Sequence, residues 1–322
     1  MLAIEIRGLT KTFGPKVAVN KLDLSVPQGS LCGFIGPNGA GKTTTIRMIM
    51  SIIFPDSGEL RVLGKASAVE SKDRIGYLPE ERGVYRKMKV GAFLNYMGKL
   101  KGIDPGATEK KVRSWLERMG LPNEYKKKCE ELSKGMQQKV QFISAVMHEP
   151  DLLILDEVFS GLDPVNRRLI RELIDEQHKA GRTVIFSTHA MFEAEQLCDQ
   201  IFMIHKGNKM LDGSLQSILA KHDPRSMLVE PASGADADRL PALPGVVSCQ
   251  PAGKALYEVR FDESVDPAAA MRSIVESMPL RRVEVKRATL EDIFIDVVLG
   301  RAGAVHADRE TIRNELAAAS SE

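Results

Sequence analysis

The chain has 322 residues, 43% of them hydrophobic and 27% charged, with a net charge of +2 at pH 7. Such a length suggests about two domains, each apolar enough to bury a core, and the near balance of charge gives no support to a dedicated nucleic-acid surface. Cys32, Cys129, Cys198 and Cys249 are scattered without a C-x-x-C, which argues for reduced thiols in the cytosol rather than a disulfide framework or a metal site; no signal-peptide pattern opens the chain, and no apolar stretch approaches the roughly 18 to 20 residues that span a bilayer.

Residues 3–6, 17–19 and 22–26 alternate or run apolar and read as strands. Between them stands Lys11-Thr12-Phe13-Gly14, where composition alone favours Phe13 as a core aromatic. The apolar run 31–35 leads into Gly36-Pro37-Asn38-Gly39-Ala40-Gly41-Lys42-Thr43, and a helical stretch begins there and continues through Thr44 to residue 50. The loop fits G-x-x-x-x-G-K-[ST], in which glycines let successive backbone N–H groups face an anion. The helix start adds the positive end of its dipole at the same place. An ordinary glycine turn with a surface lysine is the alternative, and strand, spacing and helix together argue against it. Lys42 is placed to reach the β- and γ-phosphates of a nucleotide, and the Thr43 hydroxyl to ligate Mg2+.

Residues 58–63 and 73–79 read as further strands, the second ending at Pro79 with Glu80 and Glu81 directly after it. From about 85 to 150 the pattern turns helical, over 90–101, 109–119 and 133–148, as an inserted lobe. Its third helix opens at Leu132-Ser133-Lys134-Gly135-Met136, where Ser133 is a suitable N-cap and the free amides could equally receive a phosphate. Leu152-Leu153-Ile154-Leu155-Asp156-Glu157 has the form of a buried parallel strand whose carboxyl end opens on a ligand crevice. An acid pair there is a helix cap or a solvated loop when taken alone. With a phosphate loop upstream, Asp156 reads as holding Mg2+ through its water shell and Glu157 as orienting or deprotonating the water that attacks the γ-phosphate.

Ser160-Gly161-Leu162-Asp163-Pro164 turns the chain into a helix over 165–180 that Gly181 stops, and capping alone explains Asp163. A buried strand then ends at His189, beside the end of the Asp156 strand, where an imidazole could touch a γ-phosphate. His148, His178, His205, His222 and His306 have no such setting.

Phosphate loop, Leu-Ser-Lys-Gly-Met, apolar strand with Asp-Glu, Ser-Gly-Leu-Asp and strand-end His occur in one order, and the set resembles the nucleotide-binding subunit of an ABC transporter over about residues 1–220. The resemblance implies a P-loop NTPase of α/β class, with a mainly parallel core sheet, an antiparallel β subdomain and an inserted helical subdomain. It implies that Phe13 stacks on adenine, that the phosphate loop binds ATP, that Glu157 is the catalytic carboxylate and that His189 senses the γ-phosphate. Asp163 would belong to a loop crossing a dimer interface, and Ser133 and Gly135 would act in trans on the ATP of a second cassette. Glu80 stands where a glutamine normally links the Mg2+ site to the transmembrane partner, and Lys134 and Met136 replace the usual glycine and glutamine. These departures bear on metal affinity and turnover.

The expected domains are 1–221, 222–303 and a helical or frayed tail at 304–322, with an alanine-rich helix over 308–320. In the second domain, strands at 226–229, 246–250, 255–261 and 282–286 with helices at 235–240 and 267–277 follow the order β-α-β-β-α-β, a ferredoxin-like arrangement. A further helix at 290–299 carries Thr289-Leu290-Glu291-Asp292-Ile293-Phe294, similar to the end of the accessory domain in many prokaryotic ABC export cassettes. The expected function is an ATP-hydrolysing subunit, cytoplasmic and peripheral on the inner face of the membrane, that pairs with itself or a close relative and energises a separate transmembrane permease, with export favoured and no nucleic acid involved. Two rivals are a soluble ABC ATPase acting on ribosomes or nucleic acid, which usually carries two cassettes or a very long coiled-coil insertion, and a slow regulatory cassette, against which Lys42, Asp156, Glu157 and His189 speak.

Overall fold

The structure, a computed structural model, describes residues 1–81, 83–222, 225–262 and 264–299. Two compact units divide the chain, one of Met1–Leu215 with the segment from Phe294 onward, the other of Gln216–Ile293. The division falls at Leu215, the first residue of helix α7 (Leu215–Lys221), rather than after Lys221, and the Leu215 N–H bonds the Asp199 carbonyl at 2.9 Å.

In the first unit β1 (Leu2–Phe13) pairs antiparallel with β2 (Lys16–Pro27) and with β4 (Ser57–Val62). The short runs at 17–19 and 22–26 are thus one strand, and Lys11, Thr12 and Phe13 lie in a strand rather than in a connection. Register shifts between Leu9 and Thr12, with Lys21 at φ 43°, absorb the break in alternation that makes the sequence look interrupted.

The second sheet has the order β5-β6-β7-β3-β8-β9, where β3 is Leu31–Ile35, β5 Ile75–Leu78, β6 Leu152–Asp156, β7 Thr183–Thr188, β8 Gln200–His205 and β9 Asn208–Ser214. All neighbours are parallel except β8 and β9. Every residue of β3, β6 and β7 is buried, as expected for strands covered on both faces. The register sets Ile35 beside Thr188 and Asp156 beside Ser187, so the carboxyl ends of β3, β6 and β7 finish level with one another. Helix α1 (Lys42–Ile49) follows β3, α5 (Pro164–Lys179) follows β6, and α6 (Met191–Leu197) follows β7.

The inserted lobe comprises α2 (Val90–Leu100), α3 (Pro105–Arg118) and α4 (Lys134–Val146). Helix α3 starts before residue 109, because the Asp104 carboxylate accepts the Ala107 N–H at 3.1 Å and Pro105 sits in the first turn, where its missing N–H does no harm. Helix α4 ends before His148, where Glu149 at φ 58° and then Pro150 turn the chain away.

The second unit contains β10 (Ser226–Pro231), α8 (Gly234–Ala237), β11 (Val246–Gly253), β12 (Leu256–Phe261), α9 (Pro267–Ser277) and β13 (Leu280–Val285), with antiparallel sheet order β11-β12-β10-β13. This is the ferredoxin-like order. Its first helix is a single turn, followed by a 3-10 turn at Leu240–Ala242 instead of a helix over 235–240, since Pro241 has no N–H to continue the ladder. Helix α10 (Leu290–Leu299) runs as expected, while the tail at 304–322 lies outside the described residues.

Candidate functional site: a phosphate loop facing three carboxylates

The site is built where β3, β6 and β7 end. Two glycines let the loop after β3 fold back on the sheet: a Cβ at Gly36 would stand 2.2 Å from the Ile204 carbonyl oxygen, and one at Gly41, which has φ 111°, would stand 2.5 Å from that of Ala18. Gly41 is also the N-cap of α1 and offers no side chain, so the amides of the first turn keep no capping acceptor. Lys42 is buried, with 5% of its side chain exposed, and its Nζ donates to the carbonyls of Gly36 at 2.7 Å and Pro37 at 3.2 Å.

Asp156 closes β6 with 1% exposure. Its Oδ1 accepts from the Ser187 hydroxyl and, at 3.5 Å, from that of Thr43, while Oδ2 is buried without a hydrogen-bond partner. Burial is the main force pushing this carboxyl above its ordinary pKa; the Ser187 hydrogen bond opposes the rise, and the charges of Glu80 and Glu157 add to it. Glu157 follows in the left-handed region at φ 49°, its N–H bonded to Ser187 Oγ at 3.1 Å. Its carboxylate lies between two bases: Oε1 is 3.3 Å from Lys42 Nζ and Oε2 is 3.0 Å from His189 Nδ1. Neither approach is aligned as a hydrogen bond, and both Oε1 and Nδ1 are buried without one.

Lys42, Thr43 and Glu157 line one cleft of about 330 Å³, together with Phe13, Lys16, Ala18, Asn38, Gly39, Ala40, Gly41, Thr44 and Glu80; Asp156 and His189 are not among its lining residues. Phe13 is half exposed at its rim, with Lys11 Nζ 5.5 Å from the ring centroid. Asp56 fixes the strand behind that ring, accepting the Thr12 N–H at 2.6 Å and the Lys11 ammonium at 2.8 Å, contacts that hold its carboxyl down at about 2. Ser133, Gly135 and Asp163 do not line this cleft. Ser133 caps α4 by accepting the Met136 N–H at 3.3 Å, and Asp163 caps α5 by accepting the Asn166 N–H at 2.9 Å. Both are exposed, and a Cβ at Gly135 would stand 3.9 Å from Leu162, so these two turns are surface neighbours.

The donor set suits a polyphosphate: free first-turn amides, a buried ammonium and an open glycine face. It also suits a hard divalent cation. Among the described residues no cluster of three His, Cys, Asp or Glu forms a ready cage. The orphaned Asp156 Oδ2 beside the Thr43 hydroxyl is instead half of a coordination shell, which Mg2+ commonly completes with phosphate and water oxygens. Lys16, Ala18, Asp56 and Ser187 are site residues that sequence reasoning missed. Ser187 could be found only by knowing that β6 and β7 pair in parallel with Asp156 opposite it.

Comparison with known proteins agrees with this chemistry. The family model described as ABC transporter matches residues 19–160, one described as AAA domain, putative AbiEii toxin, Type IV TA system matches 128–194, and one described as ATP-binding protein DrrA1-3-like, C-terminal domain matches 213–298. The chain is 39% identical to the uncharacterized ABC transporter ATP-binding protein YhaQ of Bacillus subtilis, over 94% of this chain and 99% of that protein. It is 32% identical to the Nod factor export ATP-binding protein I of Rhizobium sp., over 91% and 96% of the two chains. A solved ATP-binding subunit of an ABC transporter superposes with a TM-score of 0.64 at 28% identity, covering 69% of this chain and 93% of that one. The chain belongs to the ATP-binding proteins of ABC transporters, the subunits that bind and hydrolyse ATP.

Proposed function

We propose that this ATPase subunit is Mg2+-dependent, works as a dimer and energises export through a separate transmembrane permease. The observation that carries the catalytic reading is Glu157, whose carboxylate faces the phosphate loop within ion-pair distance of both Lys42 and His189 while one oxygen stays unbonded. Glu157 orients and deprotonates the attacking water, and Lys42 and the α1 amides hold the β- and γ-phosphates. His189 steadies the carboxylate from the other side and meets the γ-phosphate. Thr43 and Asp156 would hold Mg2+, with Glu80 beside them, and such an ion would supply positive charge to offset that of the phosphates. Phe13 supplies the face on which adenine stacks.

Ser133, Gly135 and Asp163 serve the nucleotide of a second cassette; the exposure of Ser133 and Asp163, the adjacency of the two turns and their absence from the lining of this chain's own cleft support that role. Among the described residues no helix is long and apolar enough to cross a membrane; the permease reading, which puts the protein at the cytoplasmic face, is supported by relatives named as ATP-binding proteins of transporters. The export direction rests on the named function of the Rhizobium relative. The test is Glu157→Gln with ATP: phosphate release should fall about 10³-fold while ATP binding persists and nucleotide-trapped dimers accumulate. Release at the wild-type rate would remove Glu157 as the base, and a variant that stays monomeric with ATP bound would remove the dimer.

A further inference from the structure

Glu80 and Glu157 line the phosphate cleft, Asp156 lies near enough to feel both of their charges, and like charges so placed push one another outward. Asp156 is tied by the Ser187 and Thr43 hydroxyls and Glu157 by its own N–H, but Glu80 sits in the connection between β5 and α2. Two neighbours hold that loop. The Glu81 carboxylate pairs with Arg47 of α1 at 3.0 Å, and the Gln141 side chain, 5% exposed, donates from Nε2 to the Glu81 carbonyl at 3.1 Å and more weakly to the Pro79 carbonyl at 3.4 Å. Gln141 therefore grips the backbone on both sides of Glu80. One turn earlier on the same helix, Gln138 Nε2 donates at 2.6 Å to the carbonyl of Val158, the residue after Glu157. The i, i+3 spacing sets both amides on one face of α4.

We propose that Gln141 and Gln138 are positioning residues that hold Glu80 and Glu157 toward the nucleotide from a single helix of the inserted lobe. A neutral amide suits this task, since it satisfies the carbonyls without adding charge to the carboxylate cluster. The loop with Glu80 and the segment with Glu157 then move only as far as α4 moves. This rests on the reading of Glu80 and Glu157 as metal-side and base carboxylates.

The experiment measures equilibrium ATP binding by the full chain against Mg2+ concentration, in wild type, Gln141→Met, Glu80→Gln and the double variant. Methionine keeps the length of the side chain and removes its donor. Gln141→Met should raise the Mg2+ concentration for half-maximal binding about fivefold, and by less than about twofold when Glu80 is already glutamine, because the charge the clamp restrains is gone. An equal shift in both backgrounds, or no shift, overturns the proposal, and an equal shift with a lowered Tm identifies a merely structural role. If Gln141→Met does not fold, Gln141→Asn, too short to span both carbonyls, carries the same comparison. For Gln138→Met, phosphate release at saturating ATP should fall about tenfold with KM unchanged; an unchanged rate removes Gln138. Failure of the wild-type chain to bind ATP at all would sink the functional reading itself, an outcome distinct from any of these.

Discussion

The two units are made from the same materials, a sheet with helices packed on it, and they differ in what their strand ends carry. In the first unit the ends of β6 and β7 set Asp156 Oδ2, Glu157 Oε1 and His189 Nδ1 in buried positions without hydrogen bonds. In the second unit no described side chain is left in that condition, and its core of Met227, Val229, Leu240, Val259, Phe261, Ala270, Ile274 and Met278 is apolar throughout. Buried polar atoms without partners cost folding free energy and also occur in the first unit at Asn95, Glu124, His148, Arg167 and Arg171, so what distinguishes the strand ends is that Asp156, Glu157 and His189 converge there with Thr43 and Lys42 of the phosphate loop.

That contrast can be broken by experiment. The largest effect falls on the reacting carboxylate: Glu157→Gln should reduce phosphate release about 10³-fold with little change in Tm. Ile274→Ala in the second unit should do the reverse, lowering the stability of that unit by about 2–4 kcal/mol in denaturant titration while phosphate release per folded molecule stays within about twofold. If it abolishes hydrolysis in folded protein, the units are not separable in function. Lys42→Ala should weaken ATP binding about 10- to 100-fold in calorimetry, the loss of a charge-assisted contact, and spare the second unit.

A smaller effect concerns pH. His148, buried at the end of the inserted lobe and near Lys101, has its pKa lowered from 6.5 to about 4, burial being the first cause and the lysine charge the second. Its neutral form is favoured by folding, so this stability is complete above pH 6.5 and is lost as pH falls toward 4. Between pH 7 and 5 the first unit should lose about 2 kcal/mol, a loss that shrinks in His148→Gln. An identical pH dependence in that variant would assign the loss elsewhere.

The phosphate loop was legible because its chemistry is local: Gly36, Gly41, Lys42 and Thr43 act at positions fixed by a strand, a turn and a helix that adjoin in sequence. Asp156, Glu157 and His189 were legible because acids and an imidazole ending apolar strands are costly unless used. Ser187, Gln138 and Gln141 were not, since their partners lie far along the chain, and only the parallel register and the packing of α4 bring them together. The one-turn α8 and the uninterrupted β2 show the same limit in the fold. A proline's effect on a short helix and a bulge's effect on a strand depend on neighbours that alternation does not record.

Among the described residues Glu157 is one of several that are not glycine and yet have a left-handed backbone, and it is the one whose side chain lines the phosphate cleft. A β-carbon in the left-handed region costs on the order of 1 kcal/mol, which glycine at that position would avoid. Glycine there would also delete the carboxylate. Any effort to harden this protein against heat by relaxing strained residues would find that site early, and its success would be a sturdier chain that grips its nucleotide and leaves it intact.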